Sequence, residues 1–174
     1  AFWYSVSRIV LGWVNYAALA KPQHRAPTPG RSVAIFTTSA RGEPIAMFER
    51  TLAAWRRVCY PHTTYLLDDT RDPRFRELAE RHGAVWLELL DVPGAKAGKI
   101  NEALAMTTEE LILVLDPDHV PFPEFLDRVV GHFDDDRVGF VQVSQAYYNQ
   151  HRSFTAAGAA EQTYAFYGPG QMGL

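Results

Sequence analysis

The 174-residue sequence is nearly without cysteine and has no large excess of charge of either sign. Its one cysteine, Cys59, excludes an internal disulfide framework and fits a reducing compartment. A net charge of −3 gives no general attraction to phosphate backbones, so no nucleic-acid partner is expected. The sequence also contains no internal repeat and no low-complexity tract, which excludes repeat architectures.

Hydrophobic residues make up 47% of the chain, enough for one α/β domain with a full core. Strands are predicted at residues 33–37, 64–67, 84–88, 111–115 and 138–143. Helices are predicted at residues 44–58, 73–82, 96–106 and 123–133. The run from Leu111 to Leu115 is continuously apolar, as expected for a strand buried on both faces. This alternation predicts a mostly parallel, Rossmann-like sheet flanked by helices.

An apolar, aromatic segment at residues 1–21 precedes this domain and is about long enough to cross a bilayer. On a helix, its polar residues form one stripe: Ser5, Arg8, Gly12 and Asn15. The stripe leaves open a membrane-spanning helix, an interfacial helix, or a soluble helix packed on the domain. The segment is followed by a cationic flank, which consists of Lys21, His24, Arg25 and Arg31. If the segment spans the membrane, this flank places the rest of the chain in the cytoplasm. A proline-rich linker is expected at residues 22–31, and the globular domain at 32–174.

Two pairs of aspartates follow strands of the predicted sheet. Asp68 and Asp69 close the second strand, and Asp116 and Asp118 follow the run that ends at Leu115. Because ligands of such sheets bind outside the carboxyl ends of the strands, both pairs are expected at one edge. Carboxylates separated by one residue suit Mg²⁺ or Mn²⁺, which bridge protein carboxylates to phosphate. The alternative for each pair is a helix cap or a turn.

A third segment, Pro93 to Asn101, places glycines before and inside the start of a helix. Backbone amides can approach an anion there, and Lys96 or Lys99 would add positive charge for a diphosphate. The spacing is not that of a Walker loop. The alternative is a solvated lysine on a surface loop.

Together these segments resemble family 2 processive glycosyltransferases of the cellulose-synthase group. Residues 114–121, Val-Leu-Asp-Pro-Asp-His-Val-Pro, look like the Asp-Ala-Asp-His-Val-Pro segment of that family. Residues 95–101, Ala-Lys-Ala-Gly-Lys-Ile-Asn, are similar to its Ala-Lys-Ala-Gly-Asn-Leu-Asn element. Residues 67–79 resemble its Leu-Asp-Asp-Gly strand end and helix, and residues 141–162 resemble its Val-Gln-Thr-Pro-Gln, Tyr-Asn and Glu-Gln positions. The match runs in the expected order from Val33 to Gln162.

The resemblance implies a GT-A fold and inverting transfer of a sugar from a UDP-sugar to a growing polysaccharide, the glycan acceptor. It implies Mg²⁺ or Mn²⁺ as cofactor, and a membrane protein with its catalytic domain on the cytoplasmic side. Its metal ligands correspond to Asp116 and Asp118, with His119 in a supporting role. Its substrate-binding positions correspond to Glu43, Asp68, Asp69, Lys96 and Asp116.

The first strand departs from the family pattern. Residues 37–44 read Thr-Thr-Ser-Ala-Arg-Gly-Glu-Pro where the family has Pro-Thr-Tyr-Asn-Glu-Pro, so uridine packing stays open. The family's general base and its acceptor segment are expected beyond Leu174, so this chain is expected to bind donor and metal without turnover. Two alternatives remain: a degenerate nucleotide-sugar-binding domain without catalysis, and a haloacid-dehalogenase-like phosphohydrolase that uses Asp116 and Asp118.

Overall fold

A computed structural model describes residues 2–20, 23–27 and 29–172, and the chain divides into two compact units. One unit is Arg25–Val138, and the other combines Ala1–His24 with Gly139–Leu174. Several positions used in the sequence predictions lie outside the described residues: Lys21 of the cationic flank, Pro22 of the linker, and Leu174 at the domain end.

A four-stranded, all-parallel sheet forms the centre of the Arg25–Val138 unit. Its strands, in chain order, are β1 (Val33–Ser39), β2 (Thr63–Asp68), β3 (Val85–Glu88) and β4 (Leu111–Val114). Their order in the sheet is β3-β2-β1-β4. The register pairs Ser39 with Asp68, so β1 and β2 end side by side. The predicted parallel α/β architecture is confirmed.

The helices, in chain order, are α1 (Phe2–Ala17), α2 (Ile45–Trp55), α3 (Pro73–Arg81), α4 (Ala95–Met106), α5 (Phe125–Val129) and α6 (Phe154–Ala165). A 3₁₀ helix, Val130–Asp134, continues α5, so the helix predicted at residues 123–133 is a short α-helix with a tighter end. A π-helical stretch, Phe166–Met172, continues α6.

The side chains of β1 alternate between two hydrophobic clusters. Val33 and Ile35 belong to a cluster with buried residues of α2 and α3, whereas Ala34 and Phe36 belong to one with Ala103 of α4. Successive strand residues point to opposite faces, so this division means that helices cover both faces of the sheet. β1 is therefore packed on both faces.

Two strand predictions are wrong. Residues 138–143 form no strand, and Phe140 among them is 80% exposed. The predicted burial of β4 on both faces is also wrong, because Leu111, Ile112 and Leu113 are half-buried and Val114 is exposed. Within the described part of the chain, β4 pairs only with β1 and is an edge strand of the sheet. A segment with a strand-like sequence forms a strand only where a neighbouring strand supplies hydrogen bonds. Residues 138–143 pair with no strand of the described sheet.

The N-terminal helix α1 is 16 residues long, and most of its large aromatic and aliphatic side chains are exposed. Across residues 2–20, 23–27 and 29–172, no helix combines the length and the apolar character needed to cross a membrane. Residues 23–27 and 29–31, where the linker is predicted, contain neither helix nor strand.

Candidate functional site

The carboxyl edge of the sheet brings the two aspartate pairs to the same side of the fold. The chain passes from β1 to β2 and β3 on one side, and then returns to the other side of β1 with β4. Ligands of parallel α/β sheets bind outside the carboxyl ends of the strands where the order reverses in this way. Asp68 ends β2, and Asp116 follows β4, as the sequence predicts.

Lys96 and Asp116 are in contact at the end of β4. The ammonium Nζ of Lys96, in the first turn of α4, pairs with Oδ1 of Asp116. The two side chains are 41% and 48% exposed, so a ligand can reach both. A cation and a carboxylate that are 20 residues apart in the chain thus share one exposed position beside the reversal of strand order.

The loop after β4 adds Asp118 and His119. The carboxylate of Asp118 is 67% exposed, and His119 Nε2 lies 3.8 Å from Asp116 Oδ2 and 3.9 Å from Asp118 Oδ1. His119 Nδ1 accepts a 3.3 Å hydrogen bond from the main-chain N–H of Asp116. In the neutral ring the hydrogen is therefore on Nε2, which faces both carboxylates. This geometry suits a supporting role for His119.

Two buried side chains of α2 hold the backbone of this loop. The indole Nε1 of Trp55 donates to the carbonyl of His119 at 2.9 Å, and Thr51 Oγ1 lies 2.8 Å from the carbonyl oxygen of Pro117. Both side chains are 1% exposed. Sequence reasoning missed these contacts. The available signal was a tryptophan and a threonine four residues apart, which lie on one face of a helix.

Asp116 and Asp118 are the residues that suit a divalent metal. They supply hard oxygen ligands on one exposed loop. In the part of the chain that the structure describes, no three His, Cys, Asp or Glu side chains come together as a metal site. Mg²⁺ is usually held by one or two carboxylates together with substrate phosphates and water. The two aspartates therefore fit a metal that shares its remaining ligands with a phosphate-bearing substrate.

Asp68 is buried, and both oxygens of its carboxylate accept hydrogen bonds. Its Oδ1 accepts from the Ser39 hydroxyl at 2.6 Å and from the Thr70 N–H at 3.0 Å. Its Oδ2 accepts from the indole of Trp86 at 3.0 Å, and the residue is 2% exposed. Because Ser39, Asp68 and Trp86 come from β1, β2 and β3, this carboxylate joins three strands, at the carboxyl ends of β1 and β2. In this arrangement it supports the edge of the sheet from within.

Asp69 has different partners from its neighbour. Its Oδ2 accepts from Lys99 Nζ of α4 at 3.0 Å, and its Oδ1 accepts from the Asp91 N–H at 3.2 Å. The hydrogen bond from Lys99, followed by the one from Asp91, lowers the pKa of the Asp69 carboxyl. Asp69 is therefore an anion at neutral pH, held between α4 and the loop that follows β3.

Glu43 closes the turn after β1. Its Oε2 accepts from the N–H of Ala40 at 2.7 Å, and its own N–H donates to the Ala40 carbonyl at 3.3 Å. The structure therefore places this predicted substrate-binding residue at the carboxyl edge, with one carboxylate oxygen engaged in shaping its own loop.

Two arginines that sequence reasoning missed meet at Asp91. Arg41 follows β1 and Arg71 follows β2, and both guanidinium groups pair with the carboxylate of Asp91 in the loop after β3. Arg71 and Asp91 have positive φ angles of 60° and 51°, which non-glycine residues rarely adopt. Such conformations persist where the surrounding contacts enforce them, and they are common at functional sites. Three loops of the carboxyl edge are thus tied together at one carboxylate.

A cavity of about 590 Å³ lies elsewhere, at the amino ends of β1 and β2, with Arg31, Tyr60 and Asp127 among its lining residues. The Arg31 guanidinium is already paired with Glu110 and Asp134. The exposed side chains of Lys96, Asp116 and Asp118 lie at the opposite edge of the sheet, where the strand order reverses. The candidate site is therefore the carboxyl edge.

The family model described as Glycosyl transferase family 2 matches residues 38–169. That range includes all six residues predicted for substrate and metal binding and three-quarters of the chain. This chain belongs to glycosyl transferase family 2.

Curated relatives support the resemblance to cellulose synthases. The chain is 30% identical over 150 residues to the cellulose synthase catalytic subunit (UDP-forming) of Komagataeibacter sucrofermentans, covering 79% of this chain and 20% of the relative. It is 29% identical over 157 residues to the corresponding subunit of Xanthomonas axonopodis pv. citri, covering 84% of this chain and 21% of the relative. The chain thus spans about a fifth of the length of these relatives.

A solved structure supports the fold. The family 2 chain resembles a mannosyltransferase from Pyrobaculum calidifontis, solved in complex with GDP-Man and Mn²⁺, with a TM-score of 0.61 and 24% identity. The match covers 81% of this chain and 45% of the mannosyltransferase chain. At this identity the likeness shows the fold alone, and it confirms the predicted GT-A, Rossmann-like architecture.

Proposed function

We propose that this chain binds the sugar donor in an inverting glycosyltransferase that moves a sugar from a UDP-sugar to a growing polysaccharide, assisted by Mg²⁺ or Mn²⁺. The observation that carries the proposal is the exposed contact of Lys96 with Asp116 beside Asp118. The leaving group of such a transfer is an anionic diphosphate. A lysine and two metal-binding carboxylates are the groups that this leaving group requires.

The choice of nucleotide and acceptor is supported by the names of the relatives. The curated relatives are cellulose synthase subunits described as UDP-forming, which favours a UDP-sugar donor and a glycan acceptor. The mannosyltransferase with bound GDP-Man shares only the fold with this chain, so its bound nucleotide is no argument for a GDP-sugar donor here. Its bound Mn²⁺ is in keeping with the two exposed aspartates found here.

In the proposed mechanism the protein's own groups prepare a site for charge that develops on the diphosphate. Asp116 and Asp118 would hold the metal, which supplies positive charge to the leaving group as the glycosidic bond breaks. Lys96 adds a second positive charge. Before the donor binds, the Asp116 carboxylate holds the Lys96 ammonium group at the end of β4. Trp55 fixes the loop backbone, so these groups are oriented before the donor arrives.

We propose that this 174-residue chain alone binds donor and metal without turnover, because it spans only about a fifth of the length of its cellulose synthase relatives. Family membership argues against the phosphohydrolase alternative. A phosphoaspartate at Asp116 would reinstate that alternative.

Calorimetric titration of UDP with MnCl₂, with MgCl₂ and with EDTA tests the proposal. We expect binding only with a divalent metal, and we expect Asp118→Asn to weaken it about tenfold or more, because a metal ligand loses its charge. Glu80→Gln on α3, which removes an exposed carboxylate away from the site, is the matched control. UDP binding that depends on neither the metal nor Asp118 would exclude the proposed donor site. A preference for GDP over UDP would instead contradict the proposed UDP-sugar donor.

Attachment to the membrane through residues 1–21, with the domain on the cytoplasmic side, is part of the same proposal. Phe2, Trp3, Trp13 and Tyr16 of α1 are 67% to 80% exposed, and such rings suit an interfacial helix. Flotation with phosphatidylcholine–phosphatidylglycerol vesicles should recover the wild type and lose the double variant Trp3→Glu/Trp13→Glu. Phe140→Ser, which removes another exposed ring, is expected to float. Equal flotation of both variants would contradict a role for α1.

A further inference from the structure

Lys99 is a buried lysine in α4, only 5% exposed. A buried ammonium group is costly unless anions and acceptors surround it. Its Nζ lies 3.0 Å from Asp69 Oδ2 and donates to the main-chain carbonyl of Ser39 at 3.2 Å. The buried charge is therefore compensated by one carboxylate and one carbonyl.

These two partners belong to the ends of neighbouring strands. Ser39 is the last residue of β1, and Asp69 directly follows β2. The hydroxyl of Ser39 meanwhile donates to Asp68. Two separate polar contacts thus join the ends of β1 and β2, one through the Asp68 carboxylate and one through the Lys99 ammonium.

The same helix carries Lys96 one turn earlier. Residues three apart on a helix lie on the same side, so Lys96 and Lys99 both approach the carboxyl edge. Lys96 contacts Asp116 after β4, whereas Lys99 contacts the ends of β1 and β2. Between them, Gly98 packs so closely on Pro93 that a Cβ atom there would clash with the Pro93 carbonyl. The start of α4 is therefore held against the ends of β1, β2 and β4.

Asp69 extends this arrangement to the loop after β3. It also accepts the Asp91 N–H at 3.2 Å, and the Asp91 carboxylate pairs with Arg41 and Arg71. The ammonium of Lys99 is thus the buried end of a chain of contacts that orders the loops after β1, β2 and β3. Loops ordered before binding lower the entropy cost of holding a ligand.

We propose that Lys99 is a positioning residue for the donor site: it ties α4 to the ends of β1 and β2, and thereby places Lys96 beside Asp116. The inference rests on the proposed function, since its consequence is tighter binding of a nucleoside diphosphate with its metal. Lys99 itself is only 5% exposed and acts through Asp69 and the strand ends.

Lys99→Met tests this role, because methionine fills nearly the same volume without the charge or the hydrogen-bond donors. We expect its affinity for UDP with MnCl₂ to fall about tenfold, the effect of losing a charged hydrogen bond in the support of the site. Glu49→Gln, which breaks ion pairs between α2 and α3, is the control and should bind UDP as the wild type does. Thermal unfolding followed by circular dichroism establishes that each variant is folded.

Restoring the ammonium group separates positioning from packing. Lys99→Cys in a Cys59→Ser background, alkylated with 2-bromoethylamine while unfolded and then refolded, carries a lysine analogue with sulfur in place of one methylene. We expect this analogue to recover UDP binding to within about threefold of wild type, whereas the unmodified cysteine stays weak. If Lys99→Met does not fold, Lys99→Gln takes its place with the same expected loss.

Folded Lys99→Met or Lys99→Gln protein with wild-type affinity for UDP would overturn the inference and leave the proposed function intact. So would an alkylated variant that binds no better than the unmodified cysteine. Failure of the wild type itself to bind UDP with either metal would instead refute the proposed function, and this inference with it.

Discussion

The indole Nε1–H of Trp55 donates a 2.9 Å hydrogen bond to the main-chain carbonyl of His119, at the centre of the candidate metal loop. Trp55 is 1% exposed, so the bond connects the hydrophobic core to a loop whose carboxylates face solvent. Sites on loops are less precise than sites on helices and strands unless neighbouring side chains fix them. This hydrogen bond supplies that support to Asp116 and Asp118.

Trp55→Phe should therefore affect both stability and binding. It removes the hydrogen bond, leaves the His119 carbonyl without this donor, and opens space in the core. We expect a loss of about 2–3 kcal/mol in the free energy of unfolding, measured by urea denaturation. The affinity for UDP with MnCl₂ should fall as well. Trp3→Phe, at an 80% exposed position of α1, should change stability by less than about 0.5 kcal/mol. Equal midpoints for both variants would contradict this reading of Trp55.

Gly98→Ala should destabilise the protein, because the new methyl group would clash with the Pro93 carbonyl at the start of α4. We expect a cost of about 1–3 kcal/mol, since backbone atoms must move. The matched control is Gly158→Ala within α6, where nothing lies within 4 Å of the new Cβ. Alanine there should be neutral or stabilise by up to about 1 kcal/mol, through helix propensity. Urea denaturation of the two variants measures this contrast. An equal change in the free energy of unfolding for Gly98→Ala and Gly158→Ala would contradict close packing at Gly98.

The parallel sheet and the position of its acidic residues could be predicted from the sequence. Short apolar runs followed by aspartates specify buried strands and their ends, as at Leu66-Leu67-Asp68. Residues 138–143 have a similar pattern but form no strand, because a pattern of apolar residues does not supply a hydrogen-bonding partner. Strand formation there depends on the rest of the fold rather than on the local sequence.

The division of roles within each pair of site residues could not be predicted. Asp68 and Asp69 are adjacent, yet Asp68 is 2% exposed and hydrogen-bonded to Trp86, whereas Asp69 contacts Lys99. Lys96 and Lys99 likewise share one motif, yet only Lys99 is buried. Which member is buried depends on how α4 and the strand ends are rotated relative to each other. That is a tertiary relationship, and spacing along the chain does not encode it.

Asp68→Asn should be more destabilising than an ordinary loss of charge. The amide would present a donor to groups that also donate: the Ser39 hydroxyl and Thr70 N–H on one side, or the Trp86 indole on the other. One buried hydrogen bond at least must be lost, so we expect a cost of about 2–3 kcal/mol by urea denaturation.

The matched control for Asp68 is Asp72→Asn, at the N-cap of α3. Asparagine also caps helices well, and the ion pair of Asp72 with the exposed Arg74 contributes little. We expect a change below about 1 kcal/mol. If the two substitutions cost the same, the three hydrogen bonds at Asp68 do not hold the strand ends.

Stability at alkaline pH should depend on Tyr65. Burial, and secondarily the 2.8 Å hydrogen bond to Glu109, raises the pKa of Tyr65 to about 12. An unfolded tyrosine titrates near pH 10, so the folded state resists loss of the phenolic proton. The stabilisation from this difference is complete below about pH 10 and is lost as the pH rises toward 12. Urea midpoints of the wild type should therefore fall over this range.

Tyr65→Phe should lose this part of the alkaline decline, because it has no proton to release. Glu109→Gln separates the two causes: the amide still accepts the hydrogen bond but carries no charge. Since burial is the larger cause, Glu109→Gln should retain most of the decline seen in the wild type. A curve for Glu109→Gln as flat as that of Tyr65→Phe would show that the Glu109 charge, rather than burial, holds the proton on Tyr65.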